Sequence, residues 1–228
     1  MRLGTAILNL LFPPKCPFCH KVLEEPGAGL CPDCQTGLPW LTEKAAERSV
    51  EFADGCYSPL AYRNRVRDGV HHYKFHRCRA SAGPFGALMA QCARDHLPET
   101  PDAVTWTPLS RKRLRQRGFD QAELLARAVG KELGVPVVPL LEKVRNTQPQ
   151  SSLTEKAQRE ANARGAYCLR AGVQVSGLRL LLVDDVVTSG STLGECAYLL
   201  KQGGAQRVWC LTLAQARQKG EKAEQRKI

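Results

Sequence analysis

Blocks of apolar positions separated by short polar turns run along this chain, and their lengths fit a parallel sheet with helices on both faces. Leu180 to Val183 sets four apolar residues in succession, the length and branching of a strand buried on both sides. Asp184 and Asp185 follow at once. Strand side chains alternate between faces, so the two acids cannot both enter a core, and burying one unpaired costs several kcal/mol. At least one of them must face the end of the sheet, where open α/β folds bind ligands. A helical pattern then runs from Leu193 to Gln202, and Arg207 to Leu213 reads as a further strand.

Upstream, Gly55 to Tyr62 reads as a strand, Val66 to Phe75 as a short helix, and Phe85 to His96 as a helix with small residues on its packing side. Val104 to Leu109 is a strand pattern. From Asp120 to Leu133 an amphipathic helix is predicted, with Leu124, Leu125, Ala128, Val129 and Leu133 toward the core. Val135 to Leu141 reads as an edge strand, because Pro136 and Pro139 cannot donate to a ladder. The expected fold class is α/β.

Chemistry gathers where these strands end. Thr188, Ser189, Gly190, Ser191 and Thr192 are small, hydroxylated and flexible, and they lead into a helix. Unpaired N–H groups at a helix start bind anions, Gly lets the backbone approach, and hydroxyls add donors. Neither the mononucleotide P-loop nor the dinucleotide fingerprint is present. A phosphate cradle directly after two carboxylates fits a ligand with a phosphate at one end and a free diol nearby, and the carboxylates can help hold Mg²⁺. The plainer alternative is a polar turn in which Asp185 or Thr188 caps the helix. A second concentration follows Leu109: Arg111, Lys112, Arg113, Arg115 and Arg117 put five cations in seven positions, broken by Gly118. A single solvated helix face explains that density poorly; the run concentrates positive charge at a strand end, where open sheets bind ligands.

Cys16, Cys19, Cys31 and Cys34 form C-x2-C-x11-C-x2-C, two knuckles that supply four thiolates for structural Zn²⁺. Redox dithiols would come singly within a thioredoxin-like βαβ unit, which the flanking Pro and Gly do not support. Cys56, Cys78, Cys92, Cys168, Cys196 and Cys210 read mostly as core. Met1 to Phe12 is too short to cross a bilayer and carries no cleavage site, and no later apolar run is longer, so a reducing cytoplasmic setting is expected. A formal charge of +11 suggests an anionic partner. With 228 residues, the chain divides into a zinc module at 1–50, an α/β domain at 51–217, and a charged tail at 218–228 expected to be disordered. Aromatics are 6% of residues and are not clustered as a stacking platform, which weakens a dedicated single-strand binder.

The stretch from Leu180 to Thr192 resembles the phosphoribosyl pyrophosphate (PRPP) motif of type I phosphoribosyltransferases. That resemblance implies a parallel sheet flanked by helices, with Asp184 and Asp185 on the ribose hydroxyls and Thr188 to Thr192 on the 5′-phosphate. It also implies a pyrophosphate loop at Ser110, Arg111, Lys112 and Arg113, and a flexible loop closing over the ligand at Arg145 to Leu153. Asp184, Asp185 and Arg113 would be its catalytic side chains, with Mg²⁺ alongside.

The zinc knuckles, Lys74-Phe75, the run from Pro108 to Ala122, Arg145 to Gln150, and Arg159 with Asn162 occur in one order that resembles the competence protein F family. Membership implies a role in natural transformation, single-stranded DNA as partner, and competence proteins at the cytoplasmic side of the inner membrane. Lys74, Arg115, Arg117, Gln121, Arg159 and Asn162 become candidate nucleic-acid or substrate contacts. Two rival readings are a non-catalytic single-strand escort protein with a regulatory PRPP site, and a nucleobase-salvage enzyme. Purine-salvage members of the superfamily carry an acid where Thr188 stands, so purine salvage loses support. Two further departures are His76-Arg77 after Phe75, where the family has a Gly turn, and Asp120, an acid beside the expected pyrophosphate pocket.

Overall fold

The apolar run from Leu180 lies at the centre of a six-stranded sheet, and the strand it seeds carries both acids within it. The computed structural model describes residues 13–25, 27–75, 78–145 and 164–216. Strand β7, Arg179–Val187, lies between β4, Ala103–Trp106, and β8, Arg207–Gln215, parallel to both. On the far side of β8 come β2, Gly55–Tyr57, and β3, Leu60–Ala61, both parallel to it. The strand expected from Gly55 to Tyr62 is thus two short strands, parted at Ser58-Pro59. Strand β1, Glu47–Arg48, pairs antiparallel with β2. The stretch expected to belong to the zinc module therefore contributes a strand, Glu47–Arg48, to the main sheet.

Past β4, the strand expected over 135–141 is reduced to one bridge, Val104 with Val137. Val104 N donates to Pro136 O and Val138 N to Val104 O, at 2.8 and 2.9 Å. Pro136 and Pro139 lack the N–H groups needed to continue. The chain forms a strand only further on: β5, Leu141–Lys143, pairs antiparallel with β6, Tyr167–Leu169, as a separate ribbon.

Both faces of β7 are buried, as its unbroken apolar run requires. Leu181 and Val183 join one core cluster with α2 (Asn64–Phe75), α3 (Ala82–His96) and α5 (Gln121–Leu133), while Leu180 and Leu182 join another with α6 (Ser191–Gln202). A Cβ on Gly86 would come within 2.3 Å of the Ala128 Cβ, so α3 and α5 touch backbone to backbone. The buried stripe of α5 runs through Ala122, Leu125, Ala126 and Val129, one step round from the expected Leu124 and Leu133, which are only partly buried.

The cysteine module, whose helix α1 spans Pro32–Gly37, packs on α2. Phe18 is 2% exposed and its ring centre lies 5.1 Å from that of Phe85. Any Cβ at Gly69 would sit 2.9 Å from both Phe18 Cδ1 and Pro17 O. Glycine at that helix position is what lets the knuckle dock. No helix among the described residues is long and apolar enough to cross a membrane.

Candidate functional site

The end of β7 and the start of α6 build the candidate phosphate cradle. Gly190 has φ +82°, a left-handed conformation that side chains rarely adopt, and it ends the loop where α6 begins at Ser191. Gly190 has no side chain to cap α6 and the Ser189 hydroxyl accepts the Ser191 N–H only at 3.4 Å, so the amides that follow are open to a ligand. Ser189 and Ser191 hydroxyls lie 2.8 Å apart. Arg48 of β1 holds the loop from behind: its Nη2 donates to Thr188 O, and its Nη1 to Ala216 O at 2.6 Å. The plainer reading, a capping role for Asp185 or Thr188, fails because neither side chain caps α6.

The two acids occupy different environments. Asp185 pairs with Lys74 Nζ at 2.8 Å, so α2 places its last lysine directly on the site. Asp184 Oδ1 accepts the Asp185 N–H at 2.8 Å. Burial, reinforced by the neighbouring Asp185 charge, pushes the Asp184 carboxyl up to about 7. Two carboxylates side by side in a partly buried place oppose folding when both are ionised.

The basic stretch is a helix, not the loop that the resemblance implied. Ser110 caps α4, Arg111–Arg117, by accepting the Arg113 N–H at 3.4 Å, and Gly118 ends it with φ +78°. No residue of α4 is buried. Its side chains still border the site: Arg113 is half-buried and its guanidinium is lowered by burial and by Arg117. Arg117 Nη1 donates to Gln121 Oε1 at 2.7 Å. Gln121, 1% exposed, is too deep to be a contact and instead aims Arg117. Asp120 stays out of the pocket. It caps α5 through the Ala122 and Glu123 N–H groups and takes the Leu109 N–H at 2.8 Å. Arg115 is exposed on α4; Arg159, Asn162 and most of the 145–153 loop lie outside the described residues.

Sequence reasoning missed the ribbon's contribution. Lys143 on β5 donates to the Tyr167 hydroxyl on β6 at 2.9 Å, and Tyr167 also bonds the Thr192 side chain of the cradle. Burial, with Arg113 adding like charge, brings the Lys143 ammonium down to about 8. No salt bridge joins it to an acid among the described residues. Two cations thus converge beside the cradle, an arrangement that a phosphate would relieve. Only the position of Lys143 just before the polar loop hinted at this.

The four cysteine Sγ atoms lie within 4.8 Å of one another, close to the ~3.8 Å edge of a tetrahedral zinc–thiolate site. Although burial pushes the Cys16 thiol up, backbone N–H groups of Cys31, Cys19 and Phe18 outweigh it and bring it down to about 7. The donor set fits Zn²⁺. Beside the knuckle the His20 ring packs against that of His72, centres 4.1 Å apart and tilted 46°.

A cradle after paired carboxylates on a parallel sheet, joined to a four-thiolate knuckle, defines a phosphoribosyltransferase-type domain with a zinc ribbon. Family models agree: a phosphoribosyl transferase domain matches residues 118–227 and a double zinc ribbon domain residues 7–49. The DNA utilization protein YhgH of Salmonella typhimurium is 32% identical over 86% of this chain and 88% of its own length. That of Escherichia coli K12 is 33% identical over 80% and 83%. Competence protein F of Haemophilus influenzae is 34% identical over 54% of each chain. The chain belongs to the competence protein F family.

Proposed function

We propose that this protein binds PRPP with Mg²⁺ and acts as a phosphoribosyltransferase in the uptake and use of external single-stranded DNA, at the cytoplasmic face of the inner membrane. The observation that carries the ligand assignment is the succession of Asp184, Asp185 and the uncapped start of α6 along one strand end. The names of the relatives, DNA utilization protein and competence protein F, support the DNA role.

In this reading the ribose hydroxyls donate to Asp184 and Asp185, which displaces Lys74 from Asp185. The 5′-phosphate takes the first amides of α6 and the hydroxyls of Ser189, Ser191 and Thr192. Arg113, with Lys143, neutralises the leaving diphosphate. The carboxylates and diphosphate oxygens are a donor set suited to Mg²⁺, which supplies further positive charge to the leaving group. Catalysis rests on positioning and charge neutralisation, because the sugar becomes oxocarbenium-like as diphosphate departs. The test is calorimetry with PRPP and Mg²⁺, followed by pyrophosphate release with and without single-stranded DNA. Binding with DNA-stimulated release supports the transferase; binding without release selects the escort reading; no binding overturns both.

PRPP affinity is expected to be bell-shaped in pH. Asp184 must be ionised to accept from the diol, and its raised value puts the acidic limb near 7. Lys143 loses its charge as pH rises through about 8, which sets the alkaline limb. Lys143→Met should lower affinity and flatten only the alkaline limb. An unchanged profile in that variant would remove Lys143 from the site.

A further inference from the structure

The fold assembles a cluster of two rings and a guanidinium that the sequence scatters. Phe75, the last residue of α2, is 56% exposed. The Arg117 guanidinium carbon lies over its ring, 5.1 Å from the centre, and the His71 ring centre is 4.6 Å away, tilted 41°. Arg117 is fixed in turn by Gln121 at 2.7 Å. The neighbouring pair, Arg79 over Phe119 at 5.2 Å, is a useful contrast. Phe119 is 6% exposed, so its arginine seals a core ring; Phe75 remains open to solvent.

Two features separate Phe75 from an ordinary exposed apolar side chain. Its chain neighbour Lys74 reaches Asp185 at 2.8 Å, so the end of α2 that carries the ring lies beside the site. Beside it, α4 carries five cations and no acid, and Arg111, Lys112 and Arg115 make no salt bridge among the described residues. Unpaired bases stack on aromatic rings and on guanidinium planes, while their phosphates follow unpaired cations. A duplex hides its base faces and cannot use such a stack.

We propose that His71, Phe75 and Arg117 form the acceptor subsite, which holds an unpaired base of single-stranded DNA beside the PRPP pocket, while Arg111, Lys112 and Arg115 track the adjoining phosphates. The inference rests on the function proposed above and names where the DNA sits. The stack carries the base and the α4 cations carry the backbone, so the two contributions separate experimentally.

The experiment is fluorescence anisotropy of the zinc-loaded full chain with a labelled thymidine oligonucleotide of about twenty residues, an abasic oligonucleotide of the same length, and a duplex. Phe75→Ala should weaken thymidine-strand binding roughly tenfold, the loss of about one base stack. It should leave abasic-strand binding and the salt slope unchanged. Arg111→Ala with Arg115→Ala should instead reduce the log–log salt slope by about 1.4, two single-strand phosphate contacts. Phe75→Trp should restore thymidine binding. Calorimetry of Phe75→Ala with PRPP reads the donor site separately and should match the wild type. The proposal is overturned if Phe75→Ala binds the thymidine strand normally, weakens the abasic strand or duplex equally, or if the wild type prefers duplex. PRPP binding retained alongside any of those results leaves the donor site standing; its loss in the wild type would remove the underlying function as well.

Discussion

Asp184→Asn is expected to raise the melting temperature of the ligand-free protein while removing PRPP binding. The carboxyl is raised to about 7 by burial first and by the Asp185 charge second. Sign follows from linkage: a folded-state value above the unfolded one means the group favours folding when protonated, and that contribution is lost as pH rises through about 7. Above that pH the ionised carboxylate opposes folding by roughly 1–3 kcal/mol. Asparagine keeps an oxygen for the Asp185 N–H and removes the charge. A gain of several degrees follows, at about 2–4 °C per kcal/mol for a chain of this size. Binding should fall at least a hundredfold, since hydrogen bonds to charged groups contribute about 1.5–3 kcal/mol each.

Asp185→Asn should behave differently, because it leaves Lys74, 22% exposed at the side chain, without its partner. It should lose PRPP binding without gaining stability. Paired thermal melts and calorimetry on the two single variants decide the matter. If Asp184→Asn melts lower and binds PRPP normally, the acid is structural and the ribose assignment fails. A stabilising substitution that abolishes binding is the signature of a side chain kept for function at a cost to the fold.

The features legible in the sequence were those fixed by local chemistry. Four apolar residues dictate the buried strand, though it runs on through both acids to Val187, and the T-S-G-S-T that follows dictates the turn into α6; the cysteine spacing dictates the knuckles. The regions that were not legible depended on contacts distant in sequence. The charge of Arg111 to Arg117 hid a helix, because the Ser110 cap and the Gly118 stop outweigh like-charge repulsion among exposed, solvated cations. Lys143 and Tyr167 become neighbours only through the β5–β6 ribbon, across 24 positions. Phe75 meets Arg117 only because α2 and α4 converge beside the buried Tyr73, whose hydroxyl donates to Gln121 O at 2.9 Å. Composition, which counts aromatics without placing them, could not register that stack.

Removal of zinc is expected to weaken PRPP binding, although the thiolates are not at the PRPP pocket. Structural zinc contributes about 10–16 kcal/mol in small finger peptides, so chelation should unfold the knuckles. Phe18 would then leave the core cluster it shares with Val66, Val70 and Phe85, and α2 would lose the surface that Gly69 was shaped to receive. The other end of α2 carries Lys74 on Asp185 and Phe75 beside the site. Chelator-treated protein should bind PRPP about tenfold more weakly and melt several degrees lower, as expected when a large apolar residue leaves its packing. Gly69→Val separates docking from metal: its added atoms meet Phe18 and Pro17 O at 2.9 Å, so it should reproduce the PRPP defect while retaining one zinc per chain. Chelated protein that binds PRPP as tightly as before would make the knuckle an independent module. Loss of binding in Gly69→Val with its zinc intact would instead show that the metal acts by holding α2 in place.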